Sequence, residues 1–280
     1  MRITFGAIAI FSMTVCWTLY ADTLVPNVAY RGDKVYETNA TTPFSGTLKR
    51  YSDEGRLLET VPYRNGYKEG EGTVWYPNGQ KKMQVHYRNG KRDGIETQWF
   101  KNGRKKRETP YVNGQKEGIE HTWYDNGQLR SETHYVRGKR EGLRTRWHKN
   151  GTKLSTAFFK NGVAEGAYET WNAEGVKTTH IEFRHGKRDG TCAFYFDNGK
   201  PSLIEHYKAG VLHGKRTEWY ANGRKKHENA YVNGQLDGTD TVWYKNGRKM
   251  HEVEFKQGER GAKARYWRED GTLLMQEGYE

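Results

Sequence analysis

The chain has 280 residues, with 47 basic side chains against 34 acidic ones and a formal net charge of +13. Val, Ile, Leu and Phe together supply about 16% of it, and so small a share at high charge excludes a conventional aliphatic core. Nineteen Tyr, nine Trp and 33 regularly placed Gly argue equally against a random polar coil.

Residues 1–21 carry one charge, Arg2, and an apolar stretch from Ile3 to Leu19, with the small Ala21 before Asp22. That pattern predicts a secretory signal peptide and an exported protein: periplasmic, envelope-bound or secreted. The stretch is short for a membrane span and is broken by Ser12, Thr14 and Thr18. Export would remove Cys16 and leave Cys192 alone, so no intrachain disulfide is expected, and Cys192 reads as a plain strand thiol.

Residues 22–38 form a lead-in. From residue 39 to 280 a 24-residue period governs the chain and predicts ten units. Tyr63, Tyr87, Tyr111, Tyr135, Phe159, Phe183, Tyr207, Tyr231, Phe255 and Tyr279 mark it. So do Trp75, Trp99, Trp123, Trp147, Trp171, Trp219, Trp243 and Trp267, with Tyr195 in the one gap. A glycine ladder runs from Gly55 through Gly79, Gly103, Gly127, Gly151, Gly175, Gly199, Gly223 and Gly247 to Gly271. Two more run from Gly66 to Gly258 and from Gly46 to Gly238, and the three ladders hold 28 of the 33 glycines.

Within a unit, such as Tyr231 to Glu254, two Asn-Gly pairs each follow a short aromatic or β-branched run, which signals a hairpin. The expected fold is all-β: an extended antiparallel sheet of about twenty strands, growing by one hairpin per unit. A three-residue loop at Lys245-Asn246-Gly247 is expected to pair Trp243 with Lys249 and Thr239 with Val253, putting Trp and Val on one face. Gly127→Val is expected to damage its turn, and Gly278→Val, outside the ladders, to be mild.

Catalytic motifs are missing from the sequence: there is no G-x-S-x-G, P-loop, G-x-G-x-x-G or H-E-x-x-H. The ten His are scattered over different repeat positions. Glu69 and Glu71, and Asp237 and Asp240, flank ladder glycines and read as turn residues. The expectation is a protein that is not an enzyme and takes no metal or cofactor.

Basic residues recur after the turns: Lys91-Arg92, Arg104-Lys105-Lys106-Arg107, Lys139-Arg140, Lys187-Arg188, Arg224-Lys225-Lys226 and Arg248-Lys249. The period places them as stripes along an edge or face. They either guard sheet edges and solubility or bind an anionic partner: an acidic protein, an envelope polymer or anionic lipid. Charge alone permits nucleic acid, and export argues against it. The Trp ladder reads either as a packed spine or as a solvent-facing row suited to glycan stacking.

Units such as Tyr111 to His134, with Tyr111, Asn113, Gly114, Gly118, Trp123, Tyr124, Asn126, Gly127 and Glu132, resemble the bacterial variant of the MORN repeat, in chains often labelled YwqK-type antitoxin components. The opening Pro43-Phe44-Ser45-Gly46-Thr47 is similar to the start of such arrays. The resemblance implies a β-hairpin repeat scaffold that binds another macromolecule, in the manner of an antitoxin or an immunity protein.

Overall fold

The computed structural model describes residues 23–25 and 27–278. The expected leader lies outside the described residues. From Gly46–Tyr51 onward each strand pairs antiparallel with the next, ending at Leu273–Glu277. Counting as one each the five strands that a glycine bulge divides, the array holds twenty strands in a single meander. Thr23–Val25 adds to its first edge by pairing with Gly46–Tyr51.

Two turn chemistries alternate along the ribbon, although both are written Asn-Gly. Asn233 and Gly234 have φ of +51° and +84°, the paired positive values of a tight two-residue turn. At the other edge only Gly247 is left-handed, with φ of +91°. There Gly247 N–H donates to Tyr244 O at 2.9 Å and Tyr244 N–H donates to Arg248 O at 2.8 Å, closing the expected three-residue loop. Asn246 caps that turn with its Oδ1, which accepts from Arg248 N at 2.9 Å, while its Nδ2 donates to Glu269 O one unit on at 2.8 Å. The same bond to the following unit recurs from Asn78, Asn102, Asn126, Asn150, Asn198 and Asn222, so this edge carries an asparagine ladder.

The register corrects one expectation. Trp243 faces Lys249, but Val242 faces His251, so Met250 is an extra residue in a β-bulge. The bulge moves every pairing beyond it by one. Thr239 opposes Glu254, and Val253 opposes Asp240 on the face away from Trp243. Trp and Val therefore lie on opposite faces. Gly278 also differs from expectation: its φ is +67°, and a Cβ there would meet Ala262 O at 2.5 Å, so valine is not mild at that position.

The third glycine ladder is neither turn. Gly238, with φ of +119°, sits where the strand Gln235–Leu236 breaks before Gly238–Trp243, and the register against Lys225–Val232 slips by two residues. The acid before most of these glycines has a definite task, which Ser45 and His213 take over before Gly46 and Gly214. Glu69 accepts from Asn89 N at 2.8 Å, Glu117 from Arg137 N at 2.7 Å and Asp237 from Gln257 N at 3.2 Å, each capping the tight turn of the next unit. The turn reading holds for Glu69 and Asp237 and fails for Glu71 and Asp240, which are strand residues.

Residues 27–44 cap one end. Val28–Arg31 and Lys34–Glu37 form a separate hairpin, and Val35, Phe44, Leu48, Val61 and Tyr63 make a buried apolar cluster with Val28 against it. Gly66 N–H donates to Phe44 O at 2.8 Å, a bond that Gly90 and Gly114 make to Lys68 O and Arg92 O of the preceding unit. Phe44 thus stands in for a missing earlier repeat.

Candidate functional site: an arginine groove on one face

Alternate residues of a strand point to opposite faces. One face, here the tryptophan face, carries the Trp row. Each Trp except Trp123 and Trp267 is paired across its hairpin with Lys, as Trp75 with Lys81 and Trp243 with Lys249. Lysine ammonium groups lie 5.1–5.9 Å from the Trp171, Trp243, Trp267 and Trp99 ring centres. The Trp side chains are half-buried between these stems, intermediate between a closed spine and an open ladder.

The other face carries the Tyr/Phe row, and its cations stack on the next unit's ring. Lys116 lies 4.6 Å from the centre of Tyr135, and Arg140 lies 4.1 Å from that of Phe159. A second row on this face runs through Leu48–Val61, Gly72–Val85, Glu96–Thr109, Glu120–Thr133, Arg144–Ala157, Tyr168–Ile181 and Cys192–Glu205 as cross-strand pairs. It begins apolar under the cap and becomes polar within two units.

The basic residues expected to form one stripe are divided among several settings. Lys91, Lys139 and Lys187 are exposed beside the tight turns. Their neighbours point the other way: Arg92 and Arg188 stack on Tyr111 and Tyr207 at 5.2 and 5.4 Å, and Arg92 lies 3.0 Å from Glu96. Arg104 and Arg224 bridge turns, donating to Asp125 O at 3.2 Å and to Asn246 O. Lys105 and Lys225 pair with Glu108 and Glu228, each at 2.6 Å. Lys106 lies over Phe100 at 5.7 Å, and Lys226 pairs with Glu218 at 3.2 Å. Most of the predicted stripe is already neutralised or stacked.

One cluster is not. Arg107, Arg130, Arg140, Arg144 and Arg146 line a groove of about 330 Å³ on the tyrosine face, with Thr122, Ser131, Thr133 and Tyr135 between them. The groove's one carboxylate, Glu120, is taken by Lys116 Nζ at 2.6 Å and by Thr109 Oγ1 at 3.0 Å. Partial burial, then the charges of Arg146 and Arg140, hold Arg144 below the ordinary guanidinium value. Arg107 and Arg140 belong to the basic runs of the sequence. Arg144 and Arg146 were missed because they lie in the second half of their strand, beyond the run that follows the turn, and Arg130 because it stands alone after its turn rather than in a basic run. The readable signal was Arg144-Thr145-Arg146, two arginines on alternate residues and so on one face.

Carboxylates elsewhere on the sheet are held ionised. Lys177 and His180 hold Glu169 below the usual carboxylate range, its hydrogen bond from Lys177 being the largest cause. Burial works against the charge on Glu218, Glu228 and Asp240, but hydrogen bonds from Arg216 and Lys226, from Lys225 and Lys215, and from His227 and Asn229 outweigh it and lower all three. A lowered carboxyl contributes stability above its unfolded value, near pH 4. That stability is lost as pH falls through the lower folded value. Thermal midpoints should therefore be level from about pH 8 to 5 and drop below about pH 4, less steeply in Asp240→Asn.

Cys192 is fully buried opposite Glu205, and burial pushes its thiol up. In a Cys16→Ser chain, a disulfide reagent should titrate no thiol in the native protein and one on unfolding. Rapid native reaction would contradict the packing. Among the described residues no three His, Cys, Asp or Glu side chains are grouped to hold a metal ion, and no helix is long and apolar enough to cross a membrane.

The family model described as the MORN repeat variant matches residues 68–89, 92–113, 116–137, 140–161 and 188–209. Over those five stretches the chain is similar to that family. The unmatched stretch between the last two contains Asn172 and Glu174, which replace the aromatic and Asn of other units. No curated protein matches the chain.

Proposed function

We propose that this chain is an exported, non-enzymatic repeat scaffold that binds an acidic protein. The observation that carries the reading is the arginine groove, five guanidinium groups whose neighbouring carboxylate is already engaged. An open sheet with repeated side-chain rows offers area rather than an enclosed reaction chamber, which suits recognition of a large partner. Its positive field also favours encounter with an acidic surface. The specific form suggested by the repeat's resemblance is immunity: neutralisation of a toxin that arrives from outside the cell, which fits export.

The half-buried Trp–Lys row favours a second reading, an envelope ligand binder that stacks glycan rings or meets anionic lipid. A pull-down from native envelope at low and at high salt separates the two. A protein retained at low salt and released at high salt supports the scaffold. Retention on purified cell wall or on anionic liposomes, with no protein partner, replaces it with the second reading.

A further inference from the structure

Arginines on the tyrosine face recur at a few repeat positions, so each unit is a template for the others. Arg216, three periods after Arg144, is clasped by two carboxylates: its Nε donates to Glu205 at 3.1 Å and a terminal nitrogen donates to Glu218. The residues at those two positions around Arg144 are Thr133 and Arg146. Arg50, four periods before Arg146, donates to Glu59 across its hairpin at 3.1 Å. The residue facing Arg146 across its own hairpin is Ser155. Arg92 and Lys116 lie 3.0 and 2.6 Å from Glu96 and Glu120, whereas the same two positions one unit on hold Arg140 and Arg144. Around Arg144 and Arg146, the carboxylates that engage the equivalent cations elsewhere have become the hydroxyls of Thr133 and Ser155, or further guanidinium groups.

We infer that the groove between Arg107 and Arg146 receives two or more carboxylates from an acidic segment of a partner protein, in the arrangement that Glu205 and Glu218 take around Arg216. The inference rests on the scaffold reading above and names its contact. Guanidinium forks match planar carboxylates in pairs of parallel hydrogen bonds. Arg144 and Arg146 stand two residues apart on one strand, about 7 Å, the spacing of alternate side chains along an extended peptide. Thr133 and Ser155 are shorter than Glu205 and Glu59, whose repeat positions they occupy, and leave room for an incoming side chain. Like charge held together in the free protein is relieved when the acid arrives, so binding and charge neutralisation act in the same direction.

The test is direct titration of the full chain with a labelled hexaglutamate peptide. The decisive variant combines Thr133→Glu with Arg146→Glu, which rebuilds within the groove the clasp found at Arg216. It should lose affinity about tenfold or more, with a thermal midpoint equal to or above that of the parent. Arg144→Gln with Arg146→Gln should show the same loss, and Arg216→Gln, outside the groove, should leave affinity within about twofold. Equal affinity of the parent and the rebuilt clasp overturns the inference. So does Arg144-dependent binding of inorganic phosphate or of phosphatidylglycerol vesicles without binding of the peptide. A native protein partner held equally by parent and rebuilt clasp refutes the groove and leaves the scaffold reading standing. Failure to find any protein partner refutes that reading, while the peptide titration still decides the groove's chemistry.

Discussion

Deleting residues 111–134 should leave a folded, cooperatively melting protein, and deleting 111–122 should leave an unfolded one. The longer deletion joins Pro110 to Tyr135 and restores every register. Gly138, which now donates to Lys116 O, would donate to Arg92 O, the equivalent carbonyl one unit earlier. Asn102, which now donates to Asp125 O, would meet Lys149 O. In a linear array the loss is one unit and one interface, so the thermal midpoint should fall by only a few degrees. The shorter deletion removes the tight turn at Asn113-Gly114 and one strand, and joins Pro110 to Trp123. Every later turn then moves to the opposite edge of the ribbon. The asparagine ladder, the glycine ladder and the acid caps lose their partners together. Circular dichroism and thermal melting of both proteins check the result. Equal unfolding of the two would refute an array held by nearest neighbours.

Phe44→Ala should undo the cap and expose the first hairpins while sparing the far end. Phe44 is 7% exposed, its ring centre lies 5.9 Å from that of Tyr63, and it belongs to the apolar cluster of the cap. Removing a buried phenylalanine costs about 3–5 kcal/mol. Beyond this cluster the tyrosine face has few aliphatic side chains with which to compensate. Amide exchange should accelerate in residues 28–75 and stay slow from about residue 150 onward, because stability is transmitted only between adjacent units. Uniform acceleration along the chain would show that the sheet unfolds as one body.

The period and both turns were legible because glycine marks left-handed backbone at each turn, joined by asparagine at the tight one, and ten copies leave no other phase. The three-residue loop and the Trp243–Lys249 pair were legible for the same reason. The bulge at Met250 was not, since nothing in Lys249-Met250-His251 distinguishes an extra residue from a paired one. That single insertion also concealed which face is taken by the basic residues that follow each three-residue loop, such as Lys105 to Arg107. Lys91 and Arg92 read as one basic pair, yet one is in solvent and the other lies against Tyr111. The groove was hidden further because its signal is comparative: Arg144 stands out only once its position is known to hold Glu in the two preceding units. The cap was legible in its Pro43-Phe44-Ser45-Gly46 opening, whereas the packing of Val35 beneath it depends on a contact between distant segments.

Because each strand from Gly46 onward follows its predecessor across the sheet, the ribbon is also a ruler. Strands lie about 4.8 Å apart, so one 24-residue period advances the sheet by about 10 Å and twenty strands span about 90 Å measured across them. The cap sits at one end of that span and Leu273–Glu277 at the other. Gaining or losing a period would change the separation between whatever the two ends hold by about 10 Å, with every turn and row unaltered.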